Sequence, residues 1–269
     1  MDLSNHLAAD WRTNGVVEGD VLLVHSSLQR VLRRYLKKGI QLTPEDILAS
    51  FLTALGVRGT LLLPLFNFDF TKGMAFDIRS TPSQMGALTE AGRLHPEAVR
   101  TGHPIYSFAV IGAQSERFNK IENFSGYGTD SPFAVLRELA GKIAVLDLPD
   151  QHSITFYHHV EEMHEVPYRY HKDFVGPYTG RDGKTETRRF SLFVRDVEKG
   201  VLTHVNPMGE LLWRQGLYSG DRPGVEHGLR VIQAEALYQA TATVIREGRA
   251  QGLLYRIETA HEKNESREE

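Results

Sequence analysis

Asp20-Val21-Leu22-Leu23-Val24-His25-Ser26-Ser27 sets four consecutive apolar residues between an acid and a histidine followed by two hydroxyls. A run so short and so continuously apolar fits a strand buried on both faces of a sheet, which requires covering layers on both sides. Leu61 to Phe66, opened by Gly59-Thr60, and Lys142 to Leu148 read the same way. Helical patterns separate these runs. Residues 3 to 14 form an amphipathic stretch closed by Gly15, and Thr43-Pro44-Glu45-Asp46 supplies a cap, a first-turn proline and early acids for a helix ended by Gly56. Further helices are expected from about Ser83 to His95, from Asp130-Ser131-Pro132 to Gly141, around Met208 to Gln215, and around Gln233 to Glu247. A strand is expected over Ser107 to Ile111. Arg181-Asp182-Gly183-Lys184 is a turn between a short strand near Phe174 and the run Thr187 to Val194. Strands alternating with helices predict a layered α/β/α fold with a mixed central sheet and an antiparallel hairpin extension.

With 269 residues and 41% hydrophobic composition, the chain can bury one large core, and no low-complexity linker divides it. The expectation is a single domain over residues 1–260, with 261–269 as a polar, frayed tail. A net charge of −3 argues against a nucleic-acid partner. The locally basic stretch Arg30, Arg33, Arg34, Lys37 and Lys38 is a candidate anion-binding segment, with a solvated amphipathic helix the favoured reading. No apolar run reaches the roughly 20 residues that span a bilayer, and the first residues lack a signal-peptide pattern. A cytoplasmic protein with no membrane partner is therefore expected, as a monomer or a homodimer.

In layered α/β folds, ligands bind beyond the carboxyl ends of the central strands. That rule gathers His25, Ser26, the long connection over residues 67–83, and the segment just after the Lys142 to Leu148 strand. That segment holds Thr155-Phe-Tyr-His158-His159-Val-Glu161-Glu162-Met-His164, three histidines and two carboxylates in a chain without cysteine. Helical spacing puts His158 over Glu161 and Glu162. An imidazole with a carboxylate in reach can take a proton from a substrate near neutral pH. The same spacing also suits a solvated helix face bearing ordinary ion pairs. A metal-dependent hydrolase or oxygenase using His158, Glu162 and His164 is a second reading, since Glu161-x-x-His164 and Glu258-x-x-His261 carry the carboxylate-histidine spacing of di-iron helices. A non-catalytic ligand-binding protein of the same fold is a third. Walker, G-x-G-x-x-G, H-E-x-x-H and G-x-S-x-G signatures are absent, which weighs against nucleotide hydrolysis, dinucleotide redox chemistry and serine-elbow hydrolysis.

Several segments, in order, resemble the aminoglycoside N3-acetyltransferase family of antibiotic acetyltransferases. They are Val24-His25-Ser26-Ser27-Leu28, Gly59-Thr60-Leu61-Leu62-Leu63-Pro64, Phe76-Asp77 with Thr81-Pro82-Ser83-x-Met85-Gly86, His103-Pro104-x-x-Ser107, Ser131-Pro132-Phe133, and Thr155-x-x-His158-His159-x-Glu161 running into Pro167-Tyr168-Arg169. The resemblance implies transfer of acetyl from acetyl-coenzyme A to an amine, with His158 as general base, Glu161 orienting it and no metal. It implies a coenzyme A site at His25, Ser26, Ser27 and Leu28 and at Thr81, Ser83, Met85 and Gly86. Ser26, Thr155 and Ser107 are candidate donors to the developing oxyanion, and Asp69, Asp77, His103 and Ser107 are candidate acceptor contacts. Beyond residue 170 the chain departs from the resistance enzymes and looks closer to members tied to surface-sugar pathways. Lys172, Arg181, Lys184, Arg188, Arg189 and Arg195 make that region basic, which suits an amine on a neutral or anionic carrier such as a nucleotide-linked amino sugar better than a polycation.

Overall fold

The computed structural model of the chain describes residues 3–258. The chain opens with α1 (Leu3–Thr13), β1 (Val21–Ser26), α2 (Gln29–Leu36), α3 (Pro44–Leu55) and β2 (Thr60–Pro64). It continues through β3 (Phe76–Asp77), α4 (Ala87–Leu94), β4 (Val99–Arg100), β5 (Phe108–Gly112), α5 (Ser115–Asn119), α6 (Pro132–Glu138), β6 (Lys142–Leu146) and α7 (Phe156–Met163). The last third holds β7 (Arg169–Thr179), β8 (Thr185–Arg195), β9 (Val201–Thr203), α8 (Asn206–Arg214), β10 (Ser219–Gly220), β11 (Leu229–Gln233), α9 (Ala234–Arg246) and β12 (Tyr255–Ile257).

The main sheet runs β10-β11-β6-β1-β2-β5-β4. β1 lies at its centre, parallel to both β6 and β2. Alternate residues of each strand serve opposite cores, as the period of two requires. Leu22 and Val24, Leu61 and Leu63, and Ala144 and Leu146 pack with Trp11, Val31, Phe51 and Leu88 of the helices α1 to α4. Leu23, Leu62, Ile143 and Val145 face Phe133, Phe156, Met208 and Leu237 on α6 to α9. Each such buried side chain is worth about 1.5–3 kcal/mol over its exposed state. The two cores therefore clamp the sheet from both sides, giving the expected α/β/α layers.

Helix starts follow local chemistry. Thr43 accepts from the Asp46 backbone while the Asp46 carboxylate accepts from the Thr43 backbone, a complete capping box with Pro44 behind it. Ser131 caps α6 by accepting from Ala134 N. The histidine helix starts without such a cap. Thr155 has helical dihedrals and no capping hydrogen bond, while Ser153 Oγ donates back to Pro149 O. A short 3-10 turn over Asp150–His152 leads into α7 instead.

The central sheet is mixed, though for a different reason from the one the sequence suggested. β5 and β11 lie antiparallel to β2 and β6, and β11 had no expectation attached to it. The hairpin stands in a second sheet, β3-β7-β8, where β7 and β8 pair over eleven residues each. Its turn falls at Arg181 to Lys184 as read, with Gly183 at φ +81 supplying the left-handed position. The strands are longer than expected because β7 is largely solvent-exposed and shows little apolar signal. The basic stretch from Arg30 lies on and just beyond α2, where Arg30 pairs with Asp147 and Arg34 donates to the Glu226 carbonyl. The expected tail and His261 fall outside the described residues.

Candidate active site

β6 delivers the chain to α7 at the carboxyl edge of the parallel strands, and one turn of that helix builds the centre of the site. His158 Nδ1 lies 2.8 Å from Glu161 Oε2, and the Arg169 Nε lies 2.7 Å from that same oxygen. Glu161 is almost wholly buried, its side chain 1% exposed, whereas that of His158 is 19% exposed. Burial opposes ionisation of Glu161, but Arg169, His158 and the Tyr168 hydroxyl outweigh it and hold the carboxyl below its usual range. Burial and the Arg169 charge lower the His158 pKa, with Glu161 opposing them. The ionised carboxylate selects the tautomer with the proton on Nδ1, leaving the Nε2 lone pair for a substrate.

A pocket of about 350 Å3 opens at His158. Tyr106 and Tyr127 form one wall, and Arg169, Lys172, Phe174, Phe193 and Arg195 of the β7–β8 hairpin contribute much of the other. Aromatic rings connect this pocket to the end of β1. Tyr127 meets His158 at 5.4 Å between centroids, Tyr106 meets Tyr127 at 4.8 Å, Phe66 meets Tyr106 at 4.5 Å, and His25 approaches Phe66 edge-on at 6.4 Å. The β1 end and the histidine helix thus border one aromatic cluster, as the strand-edge rule anticipates.

Residues expected at the coenzyme A site divide into two groups. Ser26 and Ser27 lie half-buried at the turn into α2, with hydroxyls that have no partner among the described residues. His25 beside them is buried, its Nε2 is unpartnered, and desolvation ahead of Arg230 lowers its pKa to about 3. Leu28 closes the turn against the core. These free polar atoms fit a ligand rich in amides and phosphates. Thr81 and Ser83, by contrast, are spent on their own loop. Thr81 Oγ1 accepts from Asp77 N, and Ser83 Oγ accepts from Met85 N and bonds Thr89. Met85 packs on the core, and Gly86 precedes α4.

None of the expected acceptor contacts lines the His158 pocket. His103 is fully buried, with Nδ1 accepting from Ile105 and Tyr106 N and desolvation lowering its pKa to about 3. Ser107 is equally buried between Arg100 Nε and the Leu65 carbonyl. Both hold a turn together and present nothing to a substrate. Asp77 pairs with Arg79 and Asp69 with Lys72. Thr155 sits one turn before His158, its hydroxyl 3.5 Å from the Ser153 carbonyl. His158, Glu162 and His164 do not converge. Glu162 accepts from Ser125, while the His164 ring lies beside Tyr238. Among the described residues no three metal-ligating side chains are grouped to hold an ion. Sequence reasoning assigned no role to Arg169, Tyr106 or Tyr127. Arg169 alone had a signal, standing in Pro167-Tyr168-Arg169 just past the histidine helix.

Fold and site together give a layered α/β protein with a histidine–carboxylate pair beside an aromatic pocket. The family model described as aminoglycoside 3-N-acetyltransferase matches residues 23–246, and the chain belongs to that family. Its members are acyl-coenzyme A N-acyltransferases with acetyl-coenzyme A as cosubstrate. Aminoglycoside N(3)-acetyltransferase VII of Streptomyces paromomycinus is 29% identical over 204 residues, covering 68% of each chain. Aminoglycoside N(3)-acetyltransferase IX of Micromonospora chalcea is 25% identical over 261 residues, covering 87% of this chain and 81% of its own. Among solved structures, an AAC-IIIb binary complex with coenzyme A superposes with a TM-score of 0.77 at 23% identity, over 91% of this chain and 96% of that one. The YokD protein of Bacillus subtilis gives 0.75 at 18% identity, over 92% and 94%. At those identities the superpositions speak to the fold. Among the described residues no helix is long and apolar enough to cross a membrane.

Proposed function

We propose that this enzyme moves the acetyl group of acetyl-coenzyme A directly to an amine of an amino sugar, of aminoglycoside type or linked to a nucleotide, in a ternary complex. The observation that carries this reading is the His158–Glu161 contact at 2.8 Å, braced by Arg169, at the mouth of a pocket. The amine enters as the free base, and its nitrogen lone pair attacks the thioester carbonyl carbon. His158 Nε2 takes the proton that the nitrogen sheds, and Glu161 stabilises the resulting imidazolium. The carbon–sulfur bond breaks, sulfur leaves as thiolate, and the proton held by His158 returns to it or to solvent. Net, amine and thioester become amide and thiol. No cysteine exists in the chain to carry the acetyl group, which favours direct transfer.

Ser26, Ser27 and His25 are the side chains we assign to the coenzyme A arm, because their polar atoms lack protein partners. Thr155, with a weakly held hydroxyl near His158, is the assigned donor to the developing oxyanion. Removing the base tests the scheme. His158→Ala should lose about two to four orders of magnitude in turnover while still binding coenzyme A in calorimetry. Turnover matching the wild type would overturn the assignment.

A further inference from the structure

We infer that the acceptor amine belongs to a sugar bearing an anionic group, a phosphate above all, and that Lys172 and Arg195 hold that group. The inference rests on the proposed reaction at His158. Charge in the pocket is one-sided. Arg169, Lys172 and Arg195 line it together with His158, and no aspartate or glutamate does. Arg169 is committed to Glu161. Other cations of the hairpin are neutralised or directed elsewhere. Lys184 pairs with Asp182, Arg188 with Glu186 and Arg189 with Asp173, while Arg181 donates to the carbonyls of Arg100 and Asn119. Among the described residues, Lys172 and Arg195 have no carboxylate partner. Of the segment's cations without a carboxylate partner, Lys172 and Arg195 are the two that line the pocket holding His158.

An aminoglycoside brings several ammonium groups and would meet these charges with no acid to receive it. A sugar phosphate matches them, since a guanidinium and an ammonium are the usual protein partners of phosphate oxygens. Tyr106, Tyr127, Tyr170 and Phe174 offer ring surfaces for the sugar itself. The coenzyme A phosphates are the other possible source of negative charge, and kinetics distinguishes the two.

The experiment measures acetylation and calorimetric binding of glucosamine, glucosamine 1-phosphate, a uridine-diphosphate-linked amino sugar and kanamycin by the full chain. Phosphorylated acceptors should exceed glucosamine by about tenfold or more in kcat/KM, with the advantage shrinking as salt rises. Lys172→Ala with Arg195→Ala should remove most of that advantage through KM, while Lys184→Ala, on the same hairpin, should keep it. Preference for kanamycin, failure of both phosphorylated sugars to bind, or an advantage that survives the double substitution overturns the inference. So does a loss falling on acetyl-coenzyme A rather than on the acceptor. His158→Ala separates the two levels. A variant inactive on every acceptor, without anionic preference in the wild type, leaves the base standing and removes the anion site; full activity in that variant removes the base.

Discussion

Arg169 acts on His158, the proposed base, in two ways. It keeps Glu161 ionised inside the protein, and its positive charge, after burial, lowers the His158 pKa. A base with a lowered pKa stays neutral to more acid pH than an ordinary histidine, which titrates at 6.5. Activity that needs neutral His158 should therefore persist below that value and fall only as pH drops through the lowered pKa. Arg169→Gln removes a lowering influence, so the acid limb of kcat/KM should move to higher pH. Any limb set by the acceptor amine is common to both enzymes and cancels in the comparison. An unmoved limb would mean that Arg169 does not tune the base. His158 and Glu161 were legible in the sequence because one helical turn makes them neighbours. Arg169 reaches Glu161 from the start of a strand, and Tyr106 and Tyr127 arrive from tens of residues away, so no local spacing announces them.

At the level of elements, one buried carboxylate ties the histidine helix to its surroundings. Asp150 Oδ2 accepts from the hydroxyls of Tyr157 on α7 and Tyr218, and Asp150 Oδ1 accepts from Arg230 on β11. Helix α8 closes over this hub at Gly209, where a Cβ would lie 2.5 Å from the Asp150 carboxyl carbon. Gly209→Ala gains up to about 1 kcal/mol of helix propensity but overpacks the hub at a cost of about 1–3 kcal/mol. A net loss of stability in urea unfolding is expected, with turnover falling because Tyr157 adjoins His158 in α7. Stability at or above the wild-type level would show that the hub yields freely. No sequence pattern marks Asp150 as a hub, since its partners are assembled by β11 and the approach to β10. The turn of the β7–β8 hairpin was readable from Asp182-Gly183, but its length was not. Strands facing water on most positions carry no alternation to count.

Across the whole molecule, several histidines are folded into the interior uncharged. Desolvation lowers His25 and His103 to about 3 and His159 to about 4, all from 6.5 in the unfolded chain. Below 6.5 the unfolded chain binds protons that the native state refuses, so the native state loses ground as pH falls. Full stability should hold above 6.5 and decline steadily toward pH 3, as calorimetric melting temperatures at successive pH values will reveal. A flat profile between 6.5 and 4.5 would contradict the buried, neutral state of these rings. The layered architecture was legible because three short apolar runs can only be central strands. The placement of the hairpin beside the site was not, because it depends on pairing Phe76 and Asp77 with Tyr178 and Thr179, roughly a hundred residues onward.

That pairing separates two duties. The proposed base stands on a helix packed against the main sheet, whereas Lys172 and Arg195 stand on a second sheet, which Phe190, Leu192 and Phe193 anchor in the core and Arg169 ties to Glu161. Exposed positions of the hairpin can change without disturbing those buried contacts. On the proposed roles, such a division would let descendants of one scaffold diverge in what they acetylate while inheriting the same reaction, and it marks the exposed hairpin positions, with Arg169 kept, as those to exchange when grafting one member's preference onto another.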